Sequence, residues 1–194
     1  MPLKITTWNI NSVRLRINLV AKFIKAARPD VLCLQETKCP DDKFPFKRFK
    51  RLGYEHIAIN GQKGYHGVAV ISRHPFETTG ARNFCGKTDC RHISVVLGER
   101  ARLRDPIRLH NFYVPAGGDI PDPAINEKFA HKLSFLKEMR ECFEARRTER
   151  NNSMILVGDL NVALLEHDVW SHKQLLDVVS HTPVETELLT QAKE

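Results

Sequence analysis

No run of apolar residues in this sequence approaches the length needed to span a bilayer, and the N-terminus carries no apolar signal segment. A cytoplasmic protein with no membrane partner is therefore expected. Cysteine is sparse and unpatterned. Cys33, Cys39, Cys85, Cys90 and Cys142 form no CxxC pair and are odd in number, which argues for reduced thiols rather than a disulfide framework. Cys85 and Cys90 lie close together, but no second pair accompanies them, so a structural zinc site has no support. A GxxxxGK[ST] loop is lacking, which removes nucleotide binding of that type. So are an HExxH helix for zinc and a GxSxG elbow for acyl transfer. Repeats, low-complexity tracts and linkers are missing too, and one domain over residues 1–194 is expected.

What is present is an ordinary globular composition, 42% hydrophobic and 27% charged, with a net charge of +7. The positive balance points to a polyanionic partner, because neutralising phosphates and releasing counterions drives nucleic-acid affinity. Lys43 to Arg51 interleaves bases with Phe44, Phe46 and Phe49. That stretch suits either a grip on a nucleic-acid backbone or a solvated helical face over buried phenylalanines. Arg140 to Arg150 alternates with Glu141, Glu144 and Glu149, as on the exposed side of a helix.

Periodicity divides the chain into alternating elements. Val13, Ile17, Val20, Ala21 and Ile24 fall at helical spacing, and Pro29 closes that helix. Strand-like runs cover His56 to Ile59, Gly67 to Ser72 and His92 to Val96, punctuated by Gly, Pro and Asn. After a Pro/Gly-rich loop from Pro115 to Pro123, a long helix carries Phe129, Leu133, Leu136, Met139, Arg140 and Phe143 along one stripe. Thr182-Pro183-Val184-Glu185 has the form of a helix start, with a Thr cap, Pro in the first turn and Glu completing a capping box. No strand follows to cover Leu188, Leu189 and Ala192, which suggests a chain cut before its sheet is finished. Strands and helices mixed in this way argue for an α/β fold whose sheets include antiparallel pairs.

Four apolar runs end on polar residues able to handle a metal and a phosphate. Leu3–Trp8 delivers Asn9, Val31–Gln35 delivers Glu36, Ile107–Phe112 delivers Tyr113, and Met154–Gly158 delivers Asp159, with Asn161 two residues on. Strand ends that line a cleft in an α/β sheet have this look. Glu36 is a hard oxygen donor suited to Mg²⁺, and Asp159 is able to accept a proton from an attacking water or orient it. Asn9, Asn161 and Tyr113 supply hydrogen-bond donors to phosphoryl oxygens without added negative charge. Together these residue types fit phosphodiester hydrolysis. Singly, each has an ordinary reading: Asn9 and Asn161 as turn residues, Glu36 as a salt-bridge partner, Asp159 as a loop cap. For His66, in Gly64-Tyr65-His66-Gly67, and for Arg91, a plain surface role is the simpler reading.

Five blocks occur in one order: Thr7-Trp8-Asn9-Ile10-Asn11-Ser12-Val13-Arg14, Leu34-Gln35-Glu36-Thr37-Lys38, Gly64-Tyr65-His66-Gly67-Val68-Ala69, Phe112-Tyr113-Val114-Pro115 and Val157-Gly158-Asp159-Leu160-Asn161-Val162-Ala163. The series resembles the exonuclease III family of the endonuclease/exonuclease/phosphatase superfamily, from Lys4 to at least Trp170. The resemblance implies a four-layer α/β sandwich, with two mixed sheets face to face and helices outside. It also implies a Mg²⁺-dependent phosphodiesterase, with Mn²⁺ as the alternative ion. Its expected partner is duplex DNA bearing abasic sites or 3′ ends, which it would incise or degrade from the 3′ end, and a monomer is expected. Carried over, Glu36 would ligate the metal with support from Asn9, and Asp159 would activate or orient the water. Asn161 would hold the scissile phosphate, Tyr113 would touch it, and Lys38, His66 and Arg91 would contact DNA or phosphate.

The resemblance further implies an Arg-x-Asp-Tyr/His-like strand and a Ser-Asp-His segment after the Gly-Asp-x-Asn block. Neither occurs after Asn161: His167-Asp168, His172 and His181 lack the pattern, and Leu164 stands where many relatives have proline. The expectation is a domain lacking its C-terminal quarter, in which loss of a His–Asp pair lowers the rate by several orders of magnitude. Two other readings stay open: a non-catalytic DNA-binding module, and a phosphatase for small phosphoesters, against which the basic charge and the opening motif weigh.

Overall fold

The computed structural model describes residues 2–147 and 153–193. They fall into two compact units. The first comprises Met1–Asn83, Thr88–Tyr113 and Asn151–Asp159, and the second Phe84–Lys87, Val114–Arg150 and Leu160–Glu194.

In the first unit, β1 (Ile5–Asn9), α1 (Val13–Ala27), β2 (Val31–Gln35), α2 (Phe46–Lys50), β3 (His56–Asn60) and β4 (Val68–Ser72) precede β5 (Thr78–Gly80), β6 (His92–Leu97), β7 (Ile107–Tyr113) and β8 (Ser153–Asp159). They form two four-stranded sheets of order β1-β2-β4-β3 and β5-β6-β7-β8. Both are mixed: β1 and β2 are parallel, as are β7 and β8, and the other neighbours are antiparallel.

The central strands β2 and β4 are buried at every position, as their unbroken apolar runs require. Period-two alternation then separates their faces. Val31, Cys33, Val68 and Val70 meet Ile93, Val95, Leu97 and Leu109 between the sheets. Leu32, Leu34, Ala69 and Ile71 pack against Val13, Val20 and Ile24 of α1 on the other side. Each valine, leucine or isoleucine fully buried there stabilises the fold by about 1.5–3 kcal/mol. Helix, sheet and sheet are thus three successive layers of this unit.

Register places the strand ends that matter together. Asn9 pairs with Gln35, and Gln35 with Val68, so β4 begins where β1 and β2 end. In the second sheet Tyr113 pairs with Asp159, and Phe112 with both His92 and Gly158. A wholly buried amide pair ties the two sheets just beneath that end. Gln35 Nε2 donates to Asn111 Oδ1 at 2.6 Å, and Asn111 Nδ2 donates to the carbonyls of Leu34 and Ala69, each at 3.0 Å. Buried amides cost little when their hydrogen bonds are made and much when they are not, so this pair fixes one sheet-to-sheet alignment.

The basic–aromatic stretch resolves into α2 and its flanks. Phe44 and Phe49 are buried and stacked at 5.6 Å, while Lys47, Arg48, Lys50 and Arg51 are exposed. The three-residue edge strand β5 went unforeseen, being too short to carry a period.

In the second unit lie α3 (Glu127–Arg147), α4 (His172–Leu175) and α5 (Pro183–Lys193). The expected stripe of α3 is buried at Phe129, Leu133, Leu136, Met139 and Phe143. Arg140 is not a plain exposed base: it donates to Gln191 of α5 at 2.8 Å and lies 3.4 Å from Glu144. Glu149 and Arg150, the far end of that basic stretch, lie outside the described residues. The capping box of α5 is formed, with Thr182 N donating to Glu185 Oε2 at 3.1 Å and Glu185 N to Thr182 Oγ1 at 3.4 Å. Leu188, Leu189 and Ala192 are buried, and α3 packs against α5. Among the described residues no helix is long and apolar enough to cross a membrane, and all five cysteines are free thiols.

Candidate active site

Strand endings assemble the site in the first unit. Asn9 closes β1, and its Nδ2 donates to Glu36 Oε1 and to Asp159 Oδ2, at 2.7 Å each. One amide thus bridges two carboxylates carried by different sheets. Its Oδ1 is held by the backbone N–H of Asn11 at 3.1 Å, which sets the orientation of the amide. Lys38 Nζ lies 2.8 Å from Glu36 Oε2 and donates to Asn11 Oδ1 at 2.6 Å. The Tyr113 hydroxyl donates to Glu36 as well.

Burial would raise the Glu36 carboxyl, but hydrogen bonds from Asn9, Lys38 and Tyr113, with the Lys38 charge, outweigh it and hold the group below its ordinary value. Glu36 is therefore an anion at neutral pH. Burial, and after it the Glu36 charge, pushes the Tyr113 phenol up to about 12, so its hydroxyl stays a donor.

A second layer supports Tyr113. Arg91 lies 2.5 Å from Asp89 through Nε, donates to the Tyr113 carbonyl at 3.2 Å, and sits 4.9 Å from the centre of the Tyr113 ring. Its Nη2 is 2.9 Å from His66 Nε2. His66 Nδ1 is 3.0 Å from the Asp89 carbonyl, and the His66 ring lies 5.9 Å from that of Tyr113. Burial, then the Arg91 charge, lowers the imidazole's affinity for a proton, so Arg91 Nη2 donates to a neutral ring. A plain surface role for these two residues is thereby corrected: the Arg91 side chain is only 11% exposed, and His66 is half-buried.

Backbone conformation shows how tightly the loops are held. Asn11, Ser12, Glu36, Lys38 and His66 all have positive φ, a region few non-glycine residues occupy. The turns carrying Lys38 and His66 are laced together by Thr37 N to Gly67 O at 3.1 Å and Lys38 N to His66 O at 2.9 Å. Gly67 permits this approach: its φ is +88°, and a Cβ there would lie 2.2 Å from Thr37 Oγ1.

Asn9, Glu36, Lys38, His66, Arg91, Tyr113 and Asp159 thus share the first unit. Asn161 belongs to the second, where its Nδ2 donates to the Val114 carbonyl at 2.8 Å and its φ is +49°. Sequence reasoning did not single out Asn11, which orients Asn9 and Lys38, or Asp89, which anchors Arg91 and His66. Asn11 stood inside the opening block, and Asp89 stood two residues before Arg91, where a short acidic–basic spacing was the only signal.

The oxygens gathered around Asn9 are those of two carboxylates and its own amide. Hard oxygens of this kind match a hard divalent cation. An ionised Glu36 beside a second carboxylate can hold such an ion, position water and neutralise a phosphate.

Residues 6–179 match the family described as Endonuclease/Exonuclease/phosphatase. The chain is 27% identical to Exodeoxyribonuclease III of Haemophilus influenzae over 167 residues, which are 86% of this chain and 60% of that protein. It is 29% identical to DNA repair nuclease APEX1 of Danio rerio, over 99% of this chain and 59% of that one. The chain thus spans about three-fifths of the length of these curated relatives. The solved structure of an AP endonuclease from Archaeoglobus fulgidus superposes with a TM-score of 0.84 at 32% identity, over 99% of this chain and 70% of that chain.

Proposed function

The chain belongs to the endonuclease/exonuclease/phosphatase family, and on that premise we propose that it is a metal-dependent DNA phosphodiesterase that incises duplex DNA beside abasic sites and removes nucleotides or blocking groups from 3′ ends. One observation carries the reading: Asn9 joins Glu36 and Asp159 through a single amide, so a metal-binding carboxylate and a water-orienting carboxylate share one rigid frame. A net charge of +7 supports DNA as the substrate over a small phosphoester. Action in the cytoplasm fits the five free thiols.

The family is divalent-metal dependent. Glu36 would hold the ion with Asn9 in support, Mg²⁺ first and Mn²⁺ second, and the bound ion would supply charge neutralisation at the phosphate. The chain's own groups do the rest. Asp159 accepts a proton from the attacking water or aims it, with Asn9 fixing its direction. The Tyr113 hydroxyl and the Asn161 amide donate to phosphoryl oxygens as charge builds on them. Arg91 and His66 brace Tyr113 and face the DNA backbone, and Lys38 keeps Glu36 ionised.

Glu36→Gln tests the reading by separating cleavage from binding. The expected result is a loss of metal-dependent cleavage by about 10³-fold, with duplex affinity by fluorescence anisotropy changed only a few-fold. Cleavage at the unaltered rate in this variant contradicts the proposal. Tight duplex binding without metal-dependent cleavage by the unaltered chain favours a DNA-binding module instead.

A further inference from the structure

The second unit holds two opposite charges with no access to solvent. Lys132 on α3 and Glu185 in the first turn of α5 have wholly buried side chains, with Nζ 2.5 Å from Oε1. Two charges taken from water survive only if their remaining protons and lone pairs are also met. Here they are. Lys132 Nζ donates to the Asn161 carbonyl at 2.6 Å, to the Ala116 carbonyl at 3.1 Å and to Ser180 Oγ at 3.1 Å. Glu185 accepts from Ser180 N at 3.0 and 2.9 Å, from Thr182 N at 3.1 Å and from Thr182 Oγ1 at 2.6 Å.

An apolar pair of similar volume would remove the cost of burying two charges but leave these backbone groups unmet. What distinguishes the pair is what it grips. Beside Glu185, the ammonium donates a short hydrogen bond to the backbone carbonyl of Asn161. That residue is held in the left-handed region at φ +49°, with its side-chain amide donating to the Val114 carbonyl. The adjoining loop is tied to the same segment, through Ala163 N to the Ser180 carbonyl at 2.7 Å and His181 Nδ1 to the Ala163 carbonyl at 2.7 Å.

We propose that Lys132, held by Glu185, is a positioning residue for Asn161: the buried ammonium clamps the Asn161 carbonyl and thereby fixes the direction in which its side-chain amide meets phosphate. The proposal rests on the reading of Asn161 as a phosphate-holding group. A group misplaced by about 1 Å loses on the order of 10²-fold in rate, so a clamp on the carbonyl of the same residue that bears the amide is worth that much.

Lys132→Met alone would leave a buried carboxylate unpaired, so the test removes both charges together in Lys132→Met/Glu185→Leu. Abasic-duplex incision is measured in a cycle with Asn161→Ala, and circular dichroism checks the fold. The expected result is a kcat loss of about 10²-fold from the pair in the unaltered chain, with KM for duplex changed less than about 3-fold, and almost no further loss once Asn161 is Ala. Losses that simply multiply, or a folded charge-free variant with unaltered kcat, overturn the clamp. An Asn161→Ala variant with full activity sinks the phosphate-holding role, and with it the proposal's premise.

A readout without activity separates the two failures. In ¹H–¹⁵N–¹³C spectra of the unaltered, ¹⁵N/¹³C-labelled full chain, the Lys132 ammonium gives a slowly exchanging resonance coupled across the hydrogen bond to the Asn161 carbonyl carbon. No such resonance means there is no clamp, whatever the rate.

Discussion

Asp159→Asn lowers kcat for incision at an abasic site by about 10²–10⁴-fold while leaving duplex affinity unchanged or slightly raised. Shape is conserved in this exchange, and the proton-accepting charge is not. Asp159 ends β8 opposite Tyr113 in the register, and its Oδ2 accepts from the Asn9 amide at 2.7 Å. An asparagine there either turns its own amide N–H₂ toward Asn9 Nδ2, donor against donor, or turns its oxygen there and keeps a neutral group facing the water. Neither arrangement accepts a proton. Removing a negative charge where phosphate must dock favours binding. Single-turnover rates and anisotropy on the same protein check both halves. A kcat within 3-fold of the unaltered chain, or a parallel loss of rate and affinity, would remove Asp159 from the chemistry.

Gly158→Ala destabilises the fold by roughly 2–6 kcal/mol, a large share of the 5–15 kcal/mol that holds a domain of this size together. The cause is contact and conformation at once. Gly158 pairs with Phe112 across parallel strands, with φ at +147°. A Cβ there would lie 2.0 Å from the Phe112 carbonyl oxygen and 2.9 Å from its C and N. Those atoms are backbone of β7, one residue from its end but buried and paired to strands on both sides, so they cannot swing aside as a side chain would. β8 must move away from β7 instead, carrying Asp159 out of line with Tyr113. Urea unfolding followed by circular dichroism gives the magnitude, and a midpoint shift equivalent to less than about 0.5 kcal/mol would show that the approach is not as close as described.

Much of this site was legible because strands announce their own ends. An apolar run that stops at Asn9, Glu36, Tyr113 or Asp159 fixes both the strand and the residue it delivers, and β1, β2, β7 and β8 end at or one residue before those positions. The Thr182–Glu185 capping box was readable for the same local reason, since its two partners are three residues apart. What pairing across the sequence decides was not readable. Nothing in the order of residues says that Asn9 would reach Asp159, 150 positions away, or that Asp89 would turn Arg91 and His66 from surface residues into a brace for Tyr113. Asn111 sat within an apolar run as an apparent exception, and Lys132 within a helix as one base among many. Each is explained only by the partner that burial supplies, Gln35 for one and Glu185 for the other.

The most direct test of the phosphodiesterase reading is incision of a duplex carrying one abasic site by this chain, with Mg²⁺ added and then removed by EDTA. Cleavage beside the site that stops with chelation and fails in Glu36→Gln is the predicted result. A folded chain, verified by circular dichroism, that leaves the duplex intact with Mg²⁺ and with Mn²⁺ would contradict it.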